Sequence, residues 1–168
     1  MDSVENKLKS LCDKDVAEFS LKGRTFIAKV VDIYDGDTCK TLVPLESGIV
    51  KFSCRLAGLD TPEIKPPMNK PNREKEVIAA KQCRNRFIQL ATNCSIGIET
   101  VLKKDEVKAL LDKNTKLVSI YCDEFDKYGR LLVKMTSLED NSKTFNQVLI
   151  DEKLANPYDG GTKSTFSY

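Results

Sequence analysis

The chain of 168 residues contains no histidine. Hydrolases built on a Ser-His-Asp or Cys-His arrangement are therefore excluded, and so are histidine-ligated zinc sites. General-base chemistry that relies on an imidazole is excluded for the same reason. Any hydrolytic reaction of this chain must rest on carboxylates and arginines, with an oxygen-liganded metal ion as a further option.

Long apolar segments and paired cysteines are also missing. No apolar run approaches the roughly 20 residues of a membrane span, and the N-terminus lacks the basic and apolar regions of a secretory signal. We therefore expect an intracellular protein, most simply cytoplasmic, that does not bind membranes and has reduced thiols. We infer no obligate protein partner. None of the six cysteines belongs to a CxxC pair: Cys12, Cys39, Cys54, Cys83, Cys94 and Cys122.

A strong net charge is absent as well. The formal charge of +2 is too small to indicate nucleic-acid binding by itself. With 40% hydrophobic and 31% charged residues, the composition is that of an ordinary soluble globular protein. The length suits one domain with a substantial core.

A strand followed by a polar cluster lies between residues 50 and 63. Apolar and polar residues alternate strictly from Val50 to Leu56, which predicts a half-buried strand. Arg55 lies on its polar face, and Pro62 prevents further pairing because it has no N–H. Asp60 and Glu63 follow the strand directly. Loops that end rigid elements are common places for functional sites.

Further short strands and helices are predicted around this strand. Two strands joined by an Asp35-Gly36 turn precede it and two follow it, which favours a meander or a small barrel. The predicted strands cover residues 24–33, 38–43, 117–122 and 130–136. The predicted helices cover residues 3–19 after a cap at Ser3, residues 73–93 after a cap at Asn72, and a last helix after Asn141 or Ser142.

Two segments are less regular. The apolar spacing of residues 3–19 predicts an added helix that packs on the domain. Residues 96–102 indicate a short strand, and residues 107–111 indicate a short helix.

A basic segment runs from Lys65 to Arg86, with seven basic and two acidic residues. One interpretation is an ordinary solvated helix face. The other is a rim that attracts phosphate groups beside the polar cluster.

Three short motifs combine acidic and basic residues at turns. The first is Asp35-Gly36-Asp37-Thr38, which alone is most simply a hairpin turn. The second is Arg55-x-x-x-x-Asp60-Thr61-Pro62-Glu63, and the third is Asp126-Lys127-Tyr128-Gly129-Arg130. Each has a structural explanation by itself, but their order and their positions at strand ends give them more weight together.

On these three motifs the chain resembles the staphylococcal nuclease (thermonuclease) family over roughly residues 24–158. The resemblance implies an α+β fold with a five-stranded OB-fold barrel and packed helices. It also implies a Ca²⁺-dependent nuclease, in which other divalent cations are an option, that hydrolyses phosphodiester bonds of DNA, RNA or both. We divide the chain into an N-terminal helical extension, residues 1–20, and a nuclease-like domain, residues 21–168.

The resemblance also implies roles for individual residues. Asp37 and Asp60 correspond to metal-ligating carboxylates, with the Thr61 carbonyl as a third oxygen. Glu63 corresponds to the group that orients or deprotonates the attacking water. Asp35 either supports the metal ligands without binding the metal itself or acts only in the turn. The remaining residues of the implied site contact the substrate: Arg55 and Arg130 at the scissile phosphate, and Lys127, Tyr128 and Tyr158 around the nucleotide.

Elementary chemistry agrees with these roles. Phosphodiester hydrolysis builds negative charge on the phosphate oxygens, so positioned cations stabilise the transition state. Arginine suits this task because its planar fork meets two phosphate oxygens at once and stays charged. Two aspartates and a carbonyl leave coordination positions on a Ca²⁺ ion for water and substrate. In a chain without histidine, a glutamate is a sensible general base.

The chain departs from the family pattern in two places, the N-terminal helix and a longer segment at residues 94–115 before the fourth barrel strand. Neither replaces a motif residue. The alternative function is a catalytically inactive module of the same fold that binds nucleic acid or protein. A third interpretation, an OB-fold that binds single strands, would require exposed aromatic platforms, and only 7% of the residues are aromatic.

Overall fold

The computed structural model describes residues 3–168 and contains a closed five-stranded barrel. In chain order the strands are β1 (Thr25–Ile33), β2 (Thr38–Leu45), β3 (Gly48–Leu56), β4 (Leu59–Asp60), β5 (Val118–Phe125), β6 (Leu131–Ser137) and β7 (Asn156–Pro157). The barrel order is β1-β2-β3-β6-β5, while β4 and β7 form a separate two-stranded sheet. Closure removes the exposed edges of the sheet. The expected α+β barrel fold is confirmed.

Alternating burial along the strands explains why these segments close around one core. In β6, Leu131, Val133 and Met135 point inward and are fully buried, while the residues between them are more exposed. The same alternation in β5 buries Val118, Ile120 and other apolar residues. Inward side chains from every strand fill the barrel, as period-two patterning requires.

In the described part of the chain, four α-helices accompany the barrel: α1 (Val4–Ser10), α2 (Arg73–Ala91), α3 (Lys104–Lys113) and α4 (Phe145–Asp151). Helix α2 has the predicted position and buries Cys83 and Phe87 in the core. The Phe87 ring meets Phe145 of α4 edge-on, with ring centroids 6.3 Å apart, and such packing fixes the two helices to each other. Helix α3 confirms the short helix predicted near residues 107–111 and buries Val107 and Leu111.

The strand predicted at residues 96–102 is wrong. Among the described residues, no strand covers this range. The buried Asn85 side chain on α2 instead donates hydrogen bonds to the Ile98 carbonyl at 2.9 Å and the Thr100 carbonyl at 2.8 Å. Backbone groups that a neighbouring strand would have paired are thus satisfied by a side chain, and sequence periodicity carries no signal of that.

The N-terminal prediction is only partly correct. The Ser3 hydroxyl does cap α1, accepting a hydrogen bond from the Asn6 N–H at 3.3 Å. However, α1 ends at Ser10 and buries no residue, so the expectation that a helix of residues 3–19 packs on the domain is wrong. A short 3₁₀ turn, Asp13–Asp15, follows it. Residues 1 and 2 of the predicted 1–20 extension lie outside the described residues, and the division at residue 20 stays a prediction.

Two helix caps differ from expectation. Helix α4 starts after Thr144, whose hydroxyl accepts a hydrogen bond from the Gln147 N–H at 3.0 Å. Asn141 and Ser142 are therefore the wrong caps. Asn72 does precede α2, but its left-handed backbone (φ 58°) comes without a capping hydrogen bond from its side chain. Asparagine tolerates that backbone region better than most residues.

The topology brings distant segments to one end of the barrel. Strand β3 pairs in parallel with β6, with Arg55 opposite Leu132, so Arg55 and the hairpin that precedes β6 are neighbours. Strand β4 pairs with β7, which places Asp60 beside Asn156. Within residues 3–168, none of the helices has both the length and the apolar character needed to cross a membrane.

Candidate active site

A cavity of about 630 Å³ opens at this end of the barrel. It contains every site residue that the motifs predict, although these come from four separate parts of the chain. The predicted residues that line it are Asp37, Arg55, Asp60, Thr61, Glu63, Lys127, Tyr128, Arg130 and Tyr158. Asp35, Asp126 and Lys163 line it as well. The barrel thus collects the motifs in one place, and their roles remain to be tested.

The β1–β2 turn presents Asp37 to the cavity. The Asp35 carboxylate accepts hydrogen bonds from the N–H groups of Asp37 at 3.2 Å and Thr38 at 2.9 Å, which closes the turn. Gly36 is required here because a β-carbon would lie 2.3 Å from the Cys83 sulfur. Burial raises the pKa of Asp35 to about 7, and the charge of Asp37 adds to the rise. Asp35 therefore builds the turn that carries Asp37.

Arg55 connects the acidic residues across the cavity. Its guanidinium Nη2 lies 3.3 Å from Asp37 Oδ2 and 4.0 Å from Asp60 Oδ1. The same nitrogen donates a hydrogen bond to the Leu59 carbonyl at 3.1 Å. With only 13% of its side chain exposed, Arg55 is held in one orientation by three partners from two segments, the β1–β2 turn and β4. The Tyr158 ring lies 5.9 Å from this guanidinium, within the range of a cation–π contact.

Strand β4 and the loop after it carry two further acids, Asp60 and Glu63. Asp60 and Thr61 are buried, whereas Glu63 is exposed toward the cavity. Asp60 Oδ1 also lies 3.0 Å from the Lys163 ammonium nitrogen. The Glu63 N–H donates a hydrogen bond at 3.2 Å to Oε1 of Glu76, a buried residue of α2. This loop is therefore attached to α2 as well as to the barrel.

The β5–β6 hairpin brings Arg130 to the cavity. Asp126 Oδ2 accepts a hydrogen bond from Arg130 Nε at 2.7 Å, and Oδ1 accepts from the N–H groups of Tyr128 and Arg130, both at 2.9 Å. Burial alone would raise the pKa of Asp126, but the hydrogen bonds from Arg130 and Tyr128 outweigh it and lower that pKa. The exposed Tyr128 ring lies 5.4 Å from the Arg130 guanidinium and 5.2 Å from Lys127 Nζ.

Asp37 and Asp60 form a donor pair of the kind that a hard divalent cation prefers. Both are buried, with 6% and 8% of their surface exposed, and both face the same guanidinium. Within residues 3–168, no three His, Cys, Asp or Glu side chains come together in an arrangement that could hold a metal ion. A cation at this pair would therefore need backbone, water and substrate oxygens to complete its shell.

Two residues at the site are not identified by the sequence motifs. Lys163 lies in the polar C-terminal segment, where no periodicity or motif distinguishes it from a surface lysine. Glu76 resembles any acidic residue in the first turn of a helix, where it is favourable for the helix dipole. Its burial is the only sign of another role, and burial depends on the tertiary structure.

Comparison with models of protein families gives a match to this chain. The family described as staphylococcal nuclease homologue matches residues 53–166, more than half of the chain. The chain belongs to this family. The match starts inside β3 and includes Arg55, Asp60, Glu63 and Arg130. The Asp37 turn of this staphylococcal nuclease homologue precedes the matched region and reaches the site through the β2–β3 pairing. No curated protein matches the chain.

Proposed function

We propose that this protein is a metal-dependent nuclease that hydrolyses phosphodiester bonds of DNA, RNA or both. The observation that carries the proposal is one cavity that collects Arg55 of β3, Arg130 of the β5–β6 hairpin, two buried aspartates and an exposed glutamate. Family membership supports the same reaction class. Neither catalysis nor the metal follows from membership alone, so both require experiment.

Each residue of the cavity has a defined task in this reaction. Glu63 accepts a proton from the attacking water, which leaves a hydroxide to form the new bond to phosphorus. Arg55 and Arg130 bind the phosphate oxygens and stabilise the negative charge that grows on them. The bond to the leaving oxygen then breaks, and that oxygen takes up a proton.

Asp37 and Asp60, with the Thr61 carbonyl, would hold Ca²⁺, and the ion would supply positive charge beside the scissile phosphate. Burial of both carboxylates agrees with this task, because a buried charge is stable only when it is paired or bound to a metal. Lys127, Tyr128 and Tyr158 lie where they can contact the neighbouring nucleotide. A lysine is suited to its phosphate and a tyrosine ring to its base or sugar.

The test is cleavage of single-stranded DNA by the purified protein. We expect degradation with added Ca²⁺ and none after a chelator is added. The double variant Arg55→Ala/Glu63→Ala should lose cleavage while it still binds DNA measurably. A matched control is Arg24→Ala/Glu46→Ala, which removes the same residue types from exposed positions outside the cavity and should cleave normally.

Two outcomes would contradict the proposal in different ways. Efficient cleavage by the Arg55/Glu63 double variant would reject the assigned residues. DNA binding without cleavage across Ca²⁺, Mg²⁺ and Mn²⁺ would reject the nuclease and indicate a binding module of the same fold.

A further inference from the structure

We propose that Glu76 is a positioning residue that holds the general base Glu63 in place through the Glu63 backbone N–H. This inference rests on the proposed function, because it assigns a supporting residue to the same reaction. Glu76 does not line the main cavity. It lines a neighbouring cavity that also includes Asp60, Thr61 and Glu63, and we assign its effect on the reaction to its hydrogen bond with the Glu63 N–H.

The contact joins the buried carboxylate of Glu76 to the short loop that carries Glu63. Glu76 lies in the first turn of α2 with 2% of its surface exposed. Its Oε1 accepts the hydrogen bond from the Glu63 N–H at 3.2 Å. Burying a carboxylate away from water costs free energy unless it is paired or hydrogen-bonded. A role in holding the Glu63 loop explains why a carboxylate is buried at this position.

Lys70 completes the arrangement from the proline-rich segment between the loop and α2. Its Nζ donates to Glu76 Oε1 at 3.0 Å and lies 2.8 Å from Oε2. The direction of approach to Oε2 is outside hydrogen-bond geometry, so this oxygen gains only the ionic attraction. The hydrogen bond to Glu76 raises the pKa of Lys70, and hydrogen bonds between oppositely charged groups are stronger than neutral ones.

Glu63 depends on this contact because its own side chain has no other support. Within residues 3–168, the Glu63 carboxylate makes neither a hydrogen bond nor an ion pair. Pro62 before it has no N–H to anchor the loop. A general base must lie within about 3 Å of the proton it removes, and a misplacement of about 1 Å can cost 10²-fold in rate.

The first test compares Glu76→Ala with Glu76→Gln in steady-state cleavage. We expect Glu76→Ala to lower kcat by about 10- to 100-fold with KM for single-stranded DNA nearly unchanged. Glu76→Gln keeps an acceptor oxygen for the Glu63 N–H and should restore most of kcat. Glu152→Ala is the control, because it removes another carboxylate paired with α2, bound to Arg86 at 2.8 Å, and should leave kcat unchanged. A rise in KM with unchanged kcat would overturn the proposal.

The second test is a double-mutant cycle with Glu63→Gln. If Glu76 acts through Glu63, Glu76→Ala should cost nearly nothing in kcat once the base is already gone, because residues that act as a unit are non-additive. An equal loss of kcat in both backgrounds would overturn the proposal, since Glu76 would then act independently of Glu63.

A third measurement needs no activity and separates this inference from the proposed function. The Glu63 amide of the unaltered protein should exchange with solvent deuterium at least about 10-fold more slowly than an unprotected amide. Glu76→Ala should remove this protection and leave the Leu56 amide protected, since its hydrogen bond to the Asp37 carbonyl (2.8 Å) is separate. An unprotected Glu63 amide in the unaltered protein would reject the contact even if Glu76→Ala does not fold. Absence of cleavage with the Glu63 amide protected would reject the nuclease alone.

Discussion

The two arginines of the cavity are held in place in different ways. Arg55 is fixed by two acids on separate elements, Asp37 on the β1–β2 turn and Asp60 on β4, and Asp37 is distant from it in sequence. Arg130 is fixed by Asp126, four residues earlier in the same hairpin. The Arg55 side chain is 13% exposed and the Arg130 side chain 28%. Arg55 therefore depends on the pairing of β2 with β3, which brings the Asp37 turn to it, whereas Arg130 depends on a local turn.

Because of this difference, the two arginines should contribute differently to stability while contributing similarly to catalysis. Arg55 compensates the charge of two buried carboxylates as well as facing the phosphate, so its loss affects both folding and reaction. Arg130 has one partner close to solvent, and its loss leaves only a local adjustment. The comparison predicts that variants with similar losses of activity will differ in their free energy of unfolding.

Arg55→Ala should have the largest effect. We expect cleavage to fall by about 10²–10³-fold, as for other groups that stabilise transition-state charge. In a buffer with chelator, unfolding free energy should also fall by about 3 kcal/mol, because Asp37 and Asp60 are left buried without their shared cation. Urea unfolding and cleavage rates measure the two losses. Unchanged stability would contradict a structural role for Arg55.

Arg130→Ala should lose a similar factor in cleavage, about 10²–10³-fold, but little stability. The pair with Asp126 is partly exposed and local, so its loss should cost no more than about 1 kcal/mol of unfolding free energy. The same urea and cleavage measurements apply. A loss of stability equal to that of Arg55→Ala would contradict the distinction between the two arginines.

The structure shows which of these features a sequence can predict. The alternation of apolar and polar residues predicts strand β3, and the motifs predict Arg55, Asp60 and Glu63 as site residues, because both signals are local patterns in the sequence. The exposed helix α1 shows the opposite case. Val4 and Leu8 have helical spacing, yet they are 75% and 66% exposed, because spacing defines an apolar face without stating what covers it. The Asn85 contacts that replace a strand near residue 98 likewise depend on tertiary structure.

Asp126→Asn should have a smaller effect than loss of either arginine. The amide keeps the shape but has one acceptor oxygen in place of two, so it cannot accept from both Arg130 Nε and the backbone N–H groups. We therefore expect cleavage to fall by about 10-fold through poorer orientation of Arg130. The lowered pKa of Asp126 sets the pH dependence. The stability that ionised Asp126 contributes is fully present above its ordinary pKa of 3.8. This stability is lost as pH falls through the lower pKa that Asp126 has in the folded protein. Unfolding curves of both proteins should therefore differ at pH 6 and converge at strongly acidic pH, whereas a difference that persists there would contradict this origin.

Lys163→Met should produce the smallest change, and in the opposite direction. The Lys163 ammonium lies 3.0 Å from Asp60 Oδ1 with 53% of its side chain exposed, so it competes with a divalent cation for the same carboxylate. An exposed pair of this kind contributes up to about 1 kcal/mol, and removing it should lower the half-saturating Ca²⁺ concentration by about 2- to 5-fold. Calorimetric titration with Ca²⁺ measures this without substrate.

Lys143→Met is the matched control for this change. Lys143 pairs with Asp151 at 2.6 Å and is 51% exposed, but it lies outside the cavity. Its loss should leave Ca²⁺ binding unchanged, since both variants remove one positive charge and only Lys163 touches a proposed metal ligand. Equal changes in the two variants would show that net charge, rather than the contact with Asp60, controls the affinity. Weaker Ca²⁺ binding by Lys163→Met would show that Lys163 supports the acidic wall of the cavity instead of competing for it.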